Sequence, residues 1–301
     1  EGPIHVDRFQ CEKCGSDIEL RPGRMEEGVR IAGKYQTFYK TNDDGYSSTY
    51  ICKDLNNDEL KLLRIYDKTL TNLISNPKEF IELVGAVSFM AGENHMLIID
   101  TGLSDKYLYQ VMPFRKLESI EQLVDYGYIW ACDQALDLIY ELVKSLEEGV
   151  KNISNGHFNL NPNNIFISSK GKVRYQGFGI APQLMSEKSF AKSDVHFFDV
   201  YYLSPELASG KDYPTQASDI YSLGMILYYM IVGTTPCVSS DGEGVDYNNL
   251  VFPQSVETEL DQCFLKIFKS ITENDPANRP QSFKEFRLQL EVYFSAKNHQ
   301  N

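Results

Sequence analysis

The sequence predicts an α+β fold of two lobes: an N-terminal lobe built on a sheet with one helix, and a mainly helical C-terminal lobe. Two observations predict it. From Tyr35 to Met112, short apolar runs alternate with polar positions and are bounded by Asn, Asp and Gly turns, which is the pattern of strands. Beyond Phe114 the apolar period lengthens to that of helices.

The strands are expected in KYQTFYK, SSTYICKD, ELKLLRIYD, HMLIIDTGL and KYLYQVMPF, which makes a five-stranded lobe. Between the third and fourth lies NPKEFIELVGAVSFMAG, with Phe80, Leu83, Val84 and Val87 at helical spacing, so one helix interrupts the sheet. In WACDQALDLIYELVKSLEEG the residues Ala135, Leu138, Ile139, Leu142, Val143 and Leu146 follow the i, i+3, i+4 rule of a buried amphipathic helix. SDIYSLGMILYYMIVG is apolar nearly all round and is expected at the centre of its lobe, with Ser218 or Asp219 capping its start. TELDQCFLKIFKSIT and SFKEFRLQLEVYF supply two further helices, and the acidic SSDGEGVDYNN reads as a long surface loop. The organisation expected is a segment and linker at 1–30, a sheet lobe at 31–113 and a helical lobe at 114–301. The polar, Gly/Pro-broken RPGRMEEG marks the linker, which ends near Val29.

Composition excludes some functions. The chain has 301 residues, 42% of them hydrophobic, enough to bury a substantial core in one large domain or two packed lobes. A net charge of -13 argues against nucleic acid and anionic membrane surfaces as partners, because both need clustered Lys and Arg to displace counterions. No apolar run approaches the roughly 18 to 20 residues needed to cross a bilayer, and EGPIHVDRFQ is no signal peptide. Four of the six cysteines stand singly, at Cys52, Cys132, Cys237 and Cys263, which predicts a reducing, cytoplasmic setting.

The remaining two form FQCEKCGSDIEL, where Cys11, Cys14 and Gly15 make a knuckle able to hold one side of a tetrahedral Zn2+. The phrase resembles the second knuckle of the small zinc ribbons that precede some bacterial signalling domains, and the expectation is that the chain starts inside such a ribbon. His5 or Cys52 could complete a site; an unmetallated segment is the other reading.

The stretch GHFNLNPNNIFISSKGKVRYQGFG carries almost no charge, yet HFNLNPNNIFI resembles the protein kinase catalytic loop H-R-D-L-K-P-x-N. YQGFG falls at the distance of D-F-G, YLSPE resembles A-P-E, Asp219 in ASDIYSLG matches the aspartate of the central helix, and DPANRP provides Arg279, the family's partner for Glu206. Five motifs in order, over residues 31 to 296, identify the fold as the bilobal protein kinase-like one. The family's fold-holding positions are kept: His157, Pro162, Phe178, Gly179, Pro205, Glu206, Asp219, Gly224 and Arg279. Its chemical positions are mostly replaced. Asn159 stands where an Asp accepts the substrate proton, Asn161 where a Lys neutralises the phosphate, and Gly177 where a carboxylate binds Mg2+. Asn164, the family's second metal ligand, remains, while Phe158 replaces an arginine that often reads an activating phosphate.

In the small lobe, Arg64 of KLLRIY stands at the ATP-anchoring lysine, with Glu79 or Glu82 as its possible partner. NDDGYSST matches the glycine-rich loop with the glycines lost, and Asp43 and Asp44 would repel a triphosphate. YQVMPF resembles the hinge, with Met112 as gatekeeper and Pro113 and Arg115 placed to meet a flat ligand. The resemblance with these departures implies a pseudokinase: no enzyme and no cofactor, acting as a regulatory scaffold towards a protein partner or a neighbouring domain. The alternatives are a metal-independent nucleotide or ligand sensor, and a divergent, weakly active Ser/Thr kinase.

Overall fold

The computed structural model describes residues 8–10, 17–19, 28–43, 47–66, 68–90, 94–104, 107–152, 155–178, 180–181, 199–209, 213–235, 250–258 and 260–298. They fall into two compact units, residues 1–72 with 98–115, and residues 73–97 with 116–301. Cys11, Cys14, His5, Asp44, Gly45, Gly179 and the acidic loop at 239–249 lie outside the described residues.

The first unit carries two antiparallel sheets. The smaller pairs β1 (Arg8–Gln10) with β2 (Asp17–Glu19). The larger has six strands rather than the five expected, because Arg30–Ile31 (β3) adds to β4 (Tyr35–Asp43) at the sheet edge. The order continues through β5 (Ser47–Asp54) and β6 (Leu60–Tyr66), then β8 (Tyr107–Pro113) and β7 (Asp100–Ser104). Period-two alternation turns Ile31, Tyr35, Cys52, Leu63, Tyr109 and Val111 into one buried cluster. The register places Arg64 between Thr49 on one neighbour and Gln110 on the other, in the middle of the sheet.

The strand expected in HMLIIDTGL starts only at Asp100. Its first residues bond elsewhere: Met96 N–H donates to Tyr175 O at 2.8 Å and Tyr175 N–H to Asn94 O at 3.0 Å, which ties them to the second unit. Two helices, not one, precede it, α1 (Lys68–Leu73) and α2 (Pro77–Met90). Phe80, Val84 and Val87 of α2 are buried as their spacing predicts, while Leu83 points outward.

In the second unit, β9 (Leu117–Ser119) leads into α3 (Ile120–Asp125) through a capping box in which the Ser119 and Gln122 side chains satisfy each other's backbone N–H. α4 (Cys132–Asn152) follows, then the hairpin of β10 (Ile165–Ser168) and β11 (Val173–Tyr175), α5 (Pro205–Ala208), α6 (Gln216–Val232), α7 (Gln254–Glu257), α8 (Gln262–Ile271) and α9 (Phe283–Asn298). Ala135, Ile139, Leu142, Val143 and Leu146 of the α4 stripe are buried as expected, joined by Leu136, while Leu138 is only half-buried. α6 is buried along nearly its whole length and ends on Gly233 at φ +82°. Its cap is neither Ser218 nor Asp219 but Thr215, since the helix begins at Gln216, one turn earlier than its apolar run. Ser218 accepts from Thr215 N–H at 3.2 Å, and the Asp219 carboxylate is left to bond outside the helix.

Candidate active site

The loop at 156–165 is shaped by backbone bonds to a side chain on α6. Asp219 accepts from His157 N–H at 2.7 Å and from Phe158 N–H at 2.8 Å, while its side chain is almost fully buried. Burial pushes its carboxyl up to about 7, against the pull of those two N–H groups. Phe158 sits at φ +64°, an uncommon conformation for a side chain with a Cβ. Gly156 makes room for it: a Cβ there would lie 2.1 Å from the Phe158 ring and 2.6 Å from Asp219 Oδ2.

His157 is buried and both of its ring nitrogens are engaged. Nδ1 accepts from Asn159 N–H at 3.3 Å, so Nε2 carries the proton and donates to Gln176 O at 3.0 Å. That bond holds the chain entering Gly177 against the loop. Gly177 has φ +91°, so an aspartate restored there would be strained as well as new.

The three asparagines come together in one network. Asn161 Oδ1 accepts from Asn163 N–H at 3.0 Å, its Nδ2 reaches Asn159 Oδ1 at 3.3 Å, and Asn164 Nδ2 donates to Asn159 O at 2.8 Å. The amides that replace charged groups therefore rebuild the loop through neutral hydrogen bonds. Asn164 Oδ1 differs: it is buried without a hydrogen-bond partner among the described residues.

Behind the loop, Glu206 and Arg279 form a two-pronged ion pair, with Nη1 to Oε1 at 2.9 Å and Nη2 to Oε2 at 2.7 Å. Arg279 also donates to Ala217 O, Glu273 O and Asn274 O and lies 4.8 Å from the Tyr221 ring centre.

In the sheet unit, Arg64 is 1% exposed, donates through Nε to Ser47 Oγ at 2.6 Å and lies 5.2 Å from the Tyr66 ring centre. Tyr66 in turn donates to Gln110 Oε1 at 2.9 Å. Met112 is buried in β8, Pro113 ends that strand opposite Lys61, and Arg115 follows at the edge of the unit. Glu79, at the start of α2, accepts from Asn76 Nδ2 at 3.1 Å.

A protein kinase works on a nucleotide carrying Mg2+, and these residues fit that ion in part. Asn164 Oδ1 offers an open acceptor, but Gly177 offers none, and no cluster of three or more His, Cys, Asp or Glu able to hold a metal occurs among the described residues. Such a donor set suits an ion that arrives with the phosphates and keeps most of its waters. It does not suit one caged by protein.

Sequence reading missed two participants. Gln176 gave no signal, because its contribution is a backbone carbonyl. Asp199 gave none because nothing in DVYYL shows that its carboxylate comes beside the catalytic loop; it lines a pocket with Asn159 and caps the turn at Val200–Tyr202 by accepting from Tyr201 N–H at 3.1 Å.

The protein kinase domain model matches residues 44–288. A probable serine/threonine-protein kinase PknB of Lactococcus lactis is 27% identical over 87% of this chain and 42% of its own length. Serine/threonine-protein kinase PrkC of Bacillus subtilis is 25% identical over 89% of this chain and 42% of its own. The chain thus spans about two fifths of the length of these curated relatives. The crystal structure of the Mycobacterium tuberculosis PknI kinase domain matches with a TM-score of 0.65 at 17% identity, covering 90% of this chain and 99% of that one. These findings overturn the expectation that the chain is no enzyme, since the relatives it matches are named as Ser/Thr protein kinases. The physical reason is that phosphoryl transfer rests mainly on positioning and charge stabilisation, so a missing side chain is weaker evidence against the reaction than it would be in covalent catalysis. With five ordered motifs, the two compact units and a domain match over most of its length, this chain belongs to the protein kinase domain family.

Proposed function

We propose that the chain is a divergent serine/threonine protein kinase domain that slowly transfers the terminal phosphoryl group of a nucleoside triphosphate to a protein hydroxyl. The observation that carries this reading is Asn164. Its amide nitrogen is committed to Asn159 O at 2.8 Å, while its Oδ1 is buried with no partner among the described residues. An unsatisfied buried acceptor costs about 1–3 kcal/mol, which a ligand bonding to it would relieve. The loop frame around it is preorganised by Asp219 and His157, as a positioning site requires. The names of the relatives support the same reaction class.

The test is incorporation of labelled phosphate from γ-labelled ATP into a mixed protein substrate, with Mg2+ and with Mn2+. Slow labelling of Ser or Thr is expected with at least one metal, falling at least about tenfold in Asn164→Ala, the equivalent of about 1.4 kcal/mol in the barrier. No labelling by the folded wild type under either metal would overturn the reading.

A further inference from the structure

Asn159 cannot accept a proton, so a kinase built on this loop gains about 10^2-fold or more from another acceptor within reach of the same hydroxyl. Asn159, Asp199, Tyr202, Asp219 and Ser222 are among the residues that line one pocket, whose cavity volume of about 10 Å3 is that of a water or hydroxyl group. The ionisable or basic groups in and beside it can be sorted by what already occupies them. His157 has both nitrogens engaged. Asp219 has one oxygen on each of two backbone N–H groups and is 1% exposed. Asp199 is only half-buried. One of its oxygens accepts from Tyr201 N–H. Its position is also fixed, since Ser222 Oγ donates to Tyr202 O at 2.7 Å and pins the turn that Asp199 caps to α6.

Resting on the kinase reading above, we propose that Asp199 is the proton acceptor that Asn159 cannot be. The substrate hydroxyl oxygen bonds to the terminal phosphorus while the bond from that phosphorus to its bridging oxygen breaks. The electron pair of that bond leaves with the nucleoside diphosphate, and the hydroxyl proton passes to the Asp199 carboxylate and from there to water. Asn159, 3.3 Å from Asn161 Nδ2, stays in place as a neutral neighbour of the same hydroxyl. The surroundings of Asp199 favour a base, because burial holds its carboxyl above the ordinary aspartate value, offset in part by Tyr201 N–H, and a base works best near the operating pH. The other ionisable groups acting on this corner are Glu121 and Asp125 of α3, Tyr202 and Tyr229.

Asp199→Asn keeps the cap on Tyr201 N–H, because an amide oxygen accepts there as well as a carboxylate. Labelling by Asp199→Asn should fall about 10^2-fold or more, the scale of a lost general base. The acid limb of the wild-type pH profile should disappear, and Asn159→Asp in the same chain should restore the rate to within about tenfold of wild type. Asp199→Ser, which can also cap, guards against a fold defect and should show the same loss. Asn159→Asp alone should change the rate less than about tenfold, because an acceptor already operates. A folded Asp199→Asn that labels at the wild-type rate, or a rise of about 10^2 from Asn159→Asp alone, would overturn Asp199's role and leave the kinase reading standing. An inert wild type would remove both.

Discussion

Arg279 and Arg64 are both buried guanidinium groups, one in each unit, and they are held in different ways. Arg279 is met by a carboxylate in matched fork geometry, with three backbone carbonyls taking its remaining protons. Arg64 directs its Nε at a serine hydroxyl and lies over a tyrosine ring. Where the family keeps its residue, the charge is consumed by the fold. Where this chain has changed it, a planar fork directed in part by a serine hydroxyl and a tyrosine ring stands in place of a compact ammonium, so it is no equivalent of a mobile lysine.

The comparison breaks most easily at Glu206. Glu206→Ala leaves the Arg279 charge buried, with its side chain 0% exposed, and should cost about 3–5 kcal/mol in urea unfolding. A cost below about 1 kcal/mol would show that the three carbonyls suffice and that the pair is ornamental. Glu206→Gln, which keeps hydrogen bonds but not charge, should fall between.

The matching probe in the sheet is Ser47→Ala. Removing the hydroxyl at 2.6 Å from Arg64 Nε deletes a buried hydrogen bond to a charged donor, and should cost about 1.5–3 kcal/mol. No measurable cost would mean that the Ser47 hydroxyl is not what holds the guanidinium.

How much of this could be read from the sequence follows the same division. Periodicity located the strands at 47–54 and 60–66 and the helices at 132–152 and 283–298, because each buries one continuous face or stripe. It misplaced the strand expected from His95, whose first residues are apolar for a different reason: they pack beside β11 in the other unit, not in the sheet. Pattern reading cannot distinguish two destinations for one apolar run. In the site, Asn159, Asn161, Asn164 and Gly177 were legible because a motif frame numbers them. Asp199 was not, because its relation to Asn159 is spatial and lies 40 residues away in the chain. Counting lost charges does not decide the enzyme question, because the reaction rests mainly on positioning and charge stabilisation.

His95 extends the comparison to a titratable group held neutral. It is buried edge-on to Tyr175 at 5.2 Å, and burial, with His157 nearby, pushes its pKa down to about 3. The unfolded chain takes up a proton near the usual 6.5 while the folded one resists it, so the associated stability is complete above 6.5 and is lost as pH falls towards 3. At pH 5 the loss should be about 2 kcal/mol. His95→Phe keeps an aromatic edge against Tyr175 and cannot titrate; its melting temperature should fall less than that of wild type between pH 7 and pH 5. Parallel curves would place the acid sensitivity elsewhere.

The smallest effect belongs to Lys297, although it meets two carboxylates. Near the end of α9 it pairs with Asp133 at the start of α4 and with Asp261, the N-cap of α8, at 3.1 Å, while Tyr293 donates to the same two carboxylates at 2.9 and 3.1 Å. Water reaches all of the charges: the Lys297 side chain is 34% exposed, Asp133 58% and Asp261 39%. Screening then reduces the two ion pairs to about 0.5–1 kcal/mol in total for Lys297→Met, and roughly molar salt, with a screening length of about 3 Å, should erase most of the difference. The Glu206 and Arg279 pair, closed to solvent, should keep its value in the same salt. If Lys297→Met instead cost as much as Glu206→Ala, burial would not be what separates a structural charge from a decorative one, and the contrast between Arg279 and Arg64 would have to rest on the chemistry of their partners alone.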